Sequence, residues 1–264
     1  AFTYYLGFKV NSGEYKVMGL APYGEPKYVD TIKNNLIEIA EDGSFKLNMN
    51  YFDYCTGLKM INKSFSNLFG SAERKPESKL SQKDMDLSAS IQSITEEIVI
   101  KLARNVKKET QSKNLCLAGG VALNCVANGK LLKENIFENI WIQPASGDAG
   151  GAVGAALAVH HMNFNKPRVI NKKDSMKGAY LGPSYNENEI ESSLKKCKAN
   201  FKKLSQSEII HLTAQDLKNG KAIGWMTGKM EFGPRSLGAR SIIADARSEN
   251  MQKLLNLKIK FRES

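Results

Sequence analysis

Histidine is nearly missing from this chain of 264 residues: His160, His161 and His211 are the three present. That excludes a self-contained histidine-rich metal site. Cysteine is scarce as well. Cys55, Cys116, Cys125 and Cys197 are scattered, with no CxxC pair and no zinc spacing, so the expectation is reduced, buried thiols in a cytoplasmic protein. No apolar run approaches the roughly 18 residues that a membrane span needs, and no charged segment followed by an apolar one opens the chain as a signal peptide would. Hydrophobic residues at 42% and charged residues at 25% are ordinary globular usage, which removes collagen-like, disordered and low-complexity readings.

Charge is present in excess but unevenly placed. Residues 1–165 carry 18 basic and 17 acidic side chains, whereas residues 166–264 carry 20 and 10. A basic bias over a whole protein would point to nucleic acid; one confined to a segment fits a local anion site equally well.

Along the chain, residues 2–8 alternate loosely and read as a strand. Residues 16–24 (KVMGLAPYG) end in a Pro/Gly loop, and 31–40 read as a helix. The turn-rich stretch 41–79 reads as an insertion over the core. The clearest element is a helix over 81–113, where Leu87, Ile91, Ile94, Ile98, Leu102 and Val106 form an apolar stripe, opened by Ser81 and Asp84. A strand at 114–118, a Gly119-Gly120 turn, a helix to Lys133, a strand at 139–143 and a small-residue helix at 149–160 follow. This alternation implies an α/β fold with a parallel or mixed sheet. Composition turns basic near 163–177, where a domain boundary is placed. Beyond it, helices are expected over 186–200, 205–219 and 249–257, and strands over 221–226 and 241–244. Trp141 and Trp225 read as core, His160-His161 as complementing a helix dipole, and the lysine pairs 195–196 and 202–203 as a solvated face.

Three stretches carry chemistry. In Ala118-Gly-Gly-Val-Ala-Leu-Asn124 a strand ends in two glycines and opens a helix. Without Cβ atoms the backbone can approach a phosphate closely, and helix N–H groups point at it; Asn124 could bond a ribose or base. The alternative is a tight turn with no ligand. In residues 144–156 (PASGDAGGAVGAA) Asp148 stands between a strand end and a Gly-rich helix, where open α/β sheets bind ligands. A carboxylate there suits a divalent metal or a hydroxyl, or a helix cap, and the small residues after it suit tight helix packing. Two such turns suggest a nucleotide between them. In residues 228–241 (GKMEFGPRSLGARS) Lys229, Arg235 and Arg240 are interrupted by Gly228, Gly233, Pro234 and Gly238. A constrained backbone holds such cations for phosphate or carboxylate recognition, and Glu231 is placed to orient one of them. The alternative is a surface loop with incidental charge.

In this order, KVMGLAPYG, LAGGVALN, QPASGDAGGAVGAA and GKMEFGPRSLGARSI resemble the NodU/CmcH-type O-carbamoyltransferases over nearly the whole chain. The first three motifs are loosely shared with the threonylcarbamoyl-adenosine synthesis enzymes and the hydrogenase-maturation carbamoyltransferase. The resemblance implies an actin-like ATPase (ASKHA, ribonuclease H-like) domain, of which residues 1–165 would be the C-terminal part, followed by the N-terminal part of a YrdC-like α/β domain in residues 166–264. It implies that carbamoyl phosphate and ATP form carbamoyl-adenylate, and that the carbamoyl group passes to a hydroxyl of a sugar or natural-product acceptor at an iron-type divalent metal. Carried over by motif, Gly119, Gly120, Val121 and Asn124 would hold the adenylate. Lys16 and the MGL loop would line the nucleotide pocket, Asp148 would be a metal ligand, and Lys229, Arg235 and Arg240 would grip carbamoyl phosphate or ATP phosphates. The metal-binding HxxxH of the family has no counterpart in this sequence, so the other ligands would lie outside this chain. The sequence reads as an internal fragment, expected not to release pyrophosphate from carbamoyl phosphate and ATP by itself.

Two other readings compete. A tRNA threonylcarbamoyl-transfer protein would need a basic surface beside the glycine turns, and the near-neutral residues 1–165 count against it; no nucleic-acid or membrane partner is expected. A nucleotide-binding regulator of the actin-like class would leave the Lys229/Arg235/Arg240 loop without a role. The acceptor and the oligomeric state have no signature in the sequence.

Overall fold

A computed structural model describes residues 1–171 and 173–259. Helix α1 (Phe2–Tyr5) occupies the stretch expected to be a strand. Its alternation is misleading because Phe2, Tyr5, Leu6 and Phe8 all turn into one core. Helix α2 (Glu14–Leu20) runs into a 3-10 turn at Ala21–Tyr23, and α3 (Val29–Asn35) stops earlier than its pattern suggests. The rest of that pattern becomes β1 (Ile37–Ile39), which pairs antiparallel with β2 (Phe45–Leu47).

The stretch 41–79 is no insertion over the core; it supplies the core. Ile61, Phe65 and Phe69, the last two on and just after α4 (Lys63–Leu68), are buried with Phe2, Tyr5, Leu87 and Ile94. The Phe65 ring meets those of Phe2, Tyr5 and Phe69 at 5.3, 5.4 and 5.2 Å between centroids, within the range in which offset and edge-on aromatic pairs attract. Phe65→Ala is expected to cost about 4 kcal/mol, the usual range for deleting a buried ring, measured by urea unfolding.

Helix α5 (Gln82–Thr110) is opened by a capping box in which Ser81 and Asp84 satisfy each other's backbone amides. Leu87 and Ile94 of its apolar stripe are buried, whereas Leu102 and Val106 stay exposed: the core is shorter than the helix. Strands β3 (Asn114–Leu117) and β4 (Asn139–Ile142) pair in parallel, Cys116 opposite Trp141. A 3-10 turn (Gly120–Leu123) and α6 (Cys125–Lys133) connect them. A second cluster of Ala103, Leu115, Leu131 and Phe137 joins α5, α6 and the sheet.

These elements form one compact unit, Ala1–Ile142; the other is Gln143–Ser264. The second unit holds α7 (Asp148–Ala158), a π turn at Val159–Asn163, α8 (Glu187–Lys196), α9 (Gln206–Lys218) and α10 (Met251–Lys258). Its strands β5 (Ile223–Met226) and β6 (Arg240–Ile243) pair antiparallel. Asn186 and Ser205 build capping boxes on α8 and α9. The C-terminal Lys260–Ser264 lies outside the described residues. Helices with small sheets, one of them parallel, agree with an α/β class.

Several burial expectations fail. All four cysteines are exposed, and Trp141 is 46% exposed. The small-residue helix α7 does not pack tightly: only Gly150 and Val153 are partly covered. Gly150 alone fits the close-packing argument, because a Cβ there would stand 2.1 Å from the Ala145 carbonyl oxygen. His161 donates from Nδ1 to the Lys166 carbonyl (2.9 Å) and stacks edge-on to His160, beyond the end of α7. No described helix is long and apolar enough to cross a membrane.

Candidate phosphate-binding site

In the first unit the strand β3 ends in the predicted bend. Gly119 has φ +93, the region that favours glycine, and a Cβ on Gly119 or Gly120 would meet open space. Val121 is exposed. The bend is therefore open to a ligand. Asn124 caps α6 through Oδ1, which accepts from the Ala127 amide at 3.0 Å. Its amide also pairs with Gln92 of α5, Nδ2 donating to Oε1 at 2.9 Å and Oδ1 accepting from Nε2 at 3.2 Å. Gln92 in turn donates to Glu96 (2.8 Å), which is ion-paired with Lys130. Asn124 thus holds the bend in place rather than offering a free amide to a ribose. Sequence reading passed over Gln92 and Glu96. The available signal was two polar residues four apart on the apolar face of α5, which are both buried.

Lys16 lies on α2 with its ammonium 5.4 Å from the Phe8 ring centroid, a cation–π distance. Its neighbour Met18 places Sδ 3.9 Å from Cys125 Sγ, so the MGL segment does reach the start of α6. The APYG turn packs on α5. Asp86 Oδ1 accepts from the Glu25 amide at 2.9 Å and Oδ2 from Lys27 at 3.1 Å; the amide bond first, then Gln82 and Lys27, keep the Asp86 carboxyl below its ordinary value.

In the second unit the loop 228–241 is braced from inside by Glu231, which is 2% exposed. Its Oε1 accepts from the amides of Leu237 (2.7 Å), Ala239 (2.8 Å) and Arg240 (3.3 Å). The Arg240 guanidinium stands 3.5 Å from Oε2 and donates to the Gly233 carbonyl at 2.8 Å. Burial pushes the Glu231 carboxyl up, but the amide donors outweigh it and hold it at about 2. The loop is tied from outside as well. Phe232 N–H donates to the Ala179 carbonyl (2.7 Å), Met230 accepts from the Gly182 amide and donates to the Pro183 carbonyl (2.8 and 3.0 Å), and Tyr180 Oη donates to the Leu237 carbonyl (2.6 Å). Gly233, φ +119, lies against the 144–147 turn; a Cβ there would stand 2.9 Å from the Pro144 oxygen. The second and third motifs therefore meet.

The three cations divide. Arg240 is a brace, bound to Glu231 and Gly233. Among the described residues the side chains of Arg235, half-buried, and Lys229, exposed, have no hydrogen-bond or ion-pair partner. Among the described residues they are unpaired cations on a loop that Glu231 braces. Beside them β5, β6 and Ser236 line an open cleft of about 600 Å³ with Trp225, Met226, Arg240, Ser241 and Ile242; Trp225 and Ser236 were not among the expected site residues.

Asp148 is the first residue of α7, with Gly147 as the cap, and it is exposed and unpartnered among the described residues. Among those residues no group of three or more His, Cys, Asp or Glu could share a metal ion. A lone carboxylate does not make a divalent-cation site.

The second unit thus holds a braced, glycine-interrupted loop bearing cations, and the first unit an open glycine bend. Comparison with known proteins identifies the family. The family model for the carbamoyltransferase N-terminus matches residues 1–157 and that for the carbamoyltransferase C-terminus residues 214–264. The chain belongs to the carbamoyltransferase family. It is 58% identical over 266 residues to an uncharacterized protein of Synechocystis sp., covering all of this chain and 43% of that protein. It is 36% identical to nodulation protein NolO of Bradyrhizobium diazoefficiens, over 95% of this chain and 43% of that one. It is also 36% identical to nodulation protein NolNO of Sinorhizobium fredii, over 98% and 36%. The chain spans less than half the length of these curated relatives.

Proposed function

We propose that the chain serves ATP-dependent O-carbamoyl transfer, in which water releases phosphate from carbamoyl phosphate to give carbamate, the carbamate displaces pyrophosphate from ATP to give carbamoyl-adenylate, and the carbamoyl group then passes to a hydroxyl of a sugar or natural-product acceptor. In this reading residues 1–165 are the ASKHA-like part and 166–264 the YrdC-like part. The observation that carries it is the loop around Glu231, which fixes the backbone bearing Arg235 and Lys229 while, among the described residues, leaving both side chains without partners.

The chemistry follows from charge. Carbamoyl phosphate and ATP are polyanions, and their approach requires cations already in place; preorganised donors stabilise charge that develops on the transferring group at no cost of reorganisation. Arg235 offers a planar fork to phosphate oxygens and Lys229 a mobile point charge. Arg240 holds the loop that carries them. The Gly119–Val121 bend receives the adenylate, with Asn124 setting its shape and Lys16 and the MGL segment beside it. Asp148 enters as a single ligand of an iron-type cation whose other ligands lie outside the described residues, and no step is routed through it.

Arg235→Glu tests the reading by calorimetry. Carbamoyl phosphate affinity should fall about a hundredfold, the scale of losing a bidentate charge-assisted pair and adding a like charge, with adenine-nucleotide binding to the first unit unchanged. Undiminished carbamoyl phosphate binding would remove the reading's support.

A further inference from the structure

Helix α7 departs from a pattern that the other long helices keep. From Ala149 to Ala158 it has no polar side chain, and a helix apolar on every side belongs in an interior, because it leaves no face for water. Yet nearly all of it is open to solvent. Leu157 near its end is 51% exposed, and the apolar exposure continues past the helix, with Met162 78% and Phe164 61% exposed. At Gly151 and Gly154 a Cβ would meet nothing within 4 Å, so another backbone could come close there. Continuous exposed apolar surface of this kind marks an interaction site.

An independent observation in the first unit points the same way. Strands β3 and β4 make a two-stranded parallel sheet, and parallel sheets are ordinarily covered on both faces. Leu115 packs with Ala103 and Leu131 of α5 and α6. The opposite face carries the paired Cys116 and Trp141, both exposed.

We infer that both faces are interfaces for one occupant, the further carbamoyltransferase polypeptide that the curated relatives carry outside the span matched here. Those relatives are more than twice as long as the matched span, and one of them preserves 58% identity through it. A chain with that much additional mass has the surface to bury α7, and a fold shared at that identity builds the same α7. The inference does not depend on which group the family transfers.

The test compares accessibility in this chain and in a longer relative. Ala155→Cys is introduced on the exposed run of α7, and a cysteine is placed at the matching position of the full-length Synechocystis relative. Both are alkylated and read by peptide mass spectrometry, with unchanged melting as the control for folding. The thiol should label rapidly in this chain as a monomer and roughly a hundredfold slower in the longer protein, where labelling waits on local opening. Cys116 and its matching position give the same comparison for the sheet. Equal rates in the two proteins would overturn the inference. Slow labelling of this chain would also overturn it, assigning the face to a second copy if sedimentation shows a dimer and to the chain's own packing if it shows a monomer.

Discussion

Glu231→Leu is expected to abolish the ordered form of the 228–241 loop and, on the proposed function, to weaken the binding of carbamoyl phosphate. One carboxylate oxygen accepts three backbone amides of that loop, those of Leu237, Ala239 and Arg240, and Ala239 is buried. Leucine offers none of them an acceptor, and a buried amide left unpaired is more costly than the bond was favourable. The Arg240 guanidinium loses its carboxylate at the same time. Affinity for carbamoyl phosphate should drop at least about tenfold even though Glu231 cannot touch an anion, since charged donors bind well only when held in place. Glu231→Gln should fall between the two, keeping an acceptor oxygen without the charge.

The same carboxylate predicts an acid limb. Its folded value of about 2 lies below the ordinary 4.5, so the native state binds the proton less readily than the unfolded one. The stabilisation it supplies is complete above about 4.5 and disappears as pH falls toward 2. Asp245, held at about 2 chiefly by the Arg247 hydrogen bond, titrates over a neighbouring window, so the measurement is a difference. Unfolding of the second unit, followed by Trp225 fluorescence, should lose part of its acid limb in Glu231→Gln, whether made in wild type or in an Asp245→Asn background that has already lost the Asp245 part. An identical acid limb in wild type and Glu231→Gln would show that the carboxylate is not the group responsible.

Gly24→Val should be the most destabilising single change in the first unit. A Cβ at Gly24 would stand 2.1 Å from the carbonyl carbon and oxygen of Met85 and 2.5 Å from the Asp86 amide. These are backbone atoms of α5 and cannot rotate aside. Relief requires the APYG turn to lift from the helix, which breaks the Glu25 and Lys27 bonds to Asp86 and the Tyr28 amide bond to Ser90. The expected cost exceeds about 4 kcal/mol, in the range reserved for backbone clashes and broken buried networks. Circular dichroism and urea unfolding would register it; a variant within 1 kcal/mol of wild type by the same linear extrapolation would show that the turn does not pack as described. The KVMGLAPYG motif therefore has a packing role at its glycine end, alongside the reach of Met18 to Cys125 at the other.

What could be read ahead of the structure was whatever depends on neighbours in the chain. The α5 stripe, the caps at Ser81, Asn186 and Ser205, the strands on either side of α6 and the loop with its three cations all announce themselves through spacings of two, three or four residues. Those spacings, with four motifs in order, also carried the family. What failed was burial. A period shows which side chains share a face but not whether anything covers it, which is why α7, Trp141 and the cysteines were misjudged and why residues 41–79, without any period, were not recognised as core.

By itself the amino-acid order determined the local elements, their caps and the rigid, cation-bearing character of 228–241, because backbone sterics, capping bonds and glycine placement act over a few residues. Only the tertiary structure decided that Arg240 pairs with Glu231 while Arg235 and Lys229 have no partner among the described residues, that Asn124 pairs with Gln92, and that Gly24 rests on the α5 backbone. Each of those outcomes hangs on a contact partner chosen by the packing of whole elements, a choice that no short-range pattern encodes.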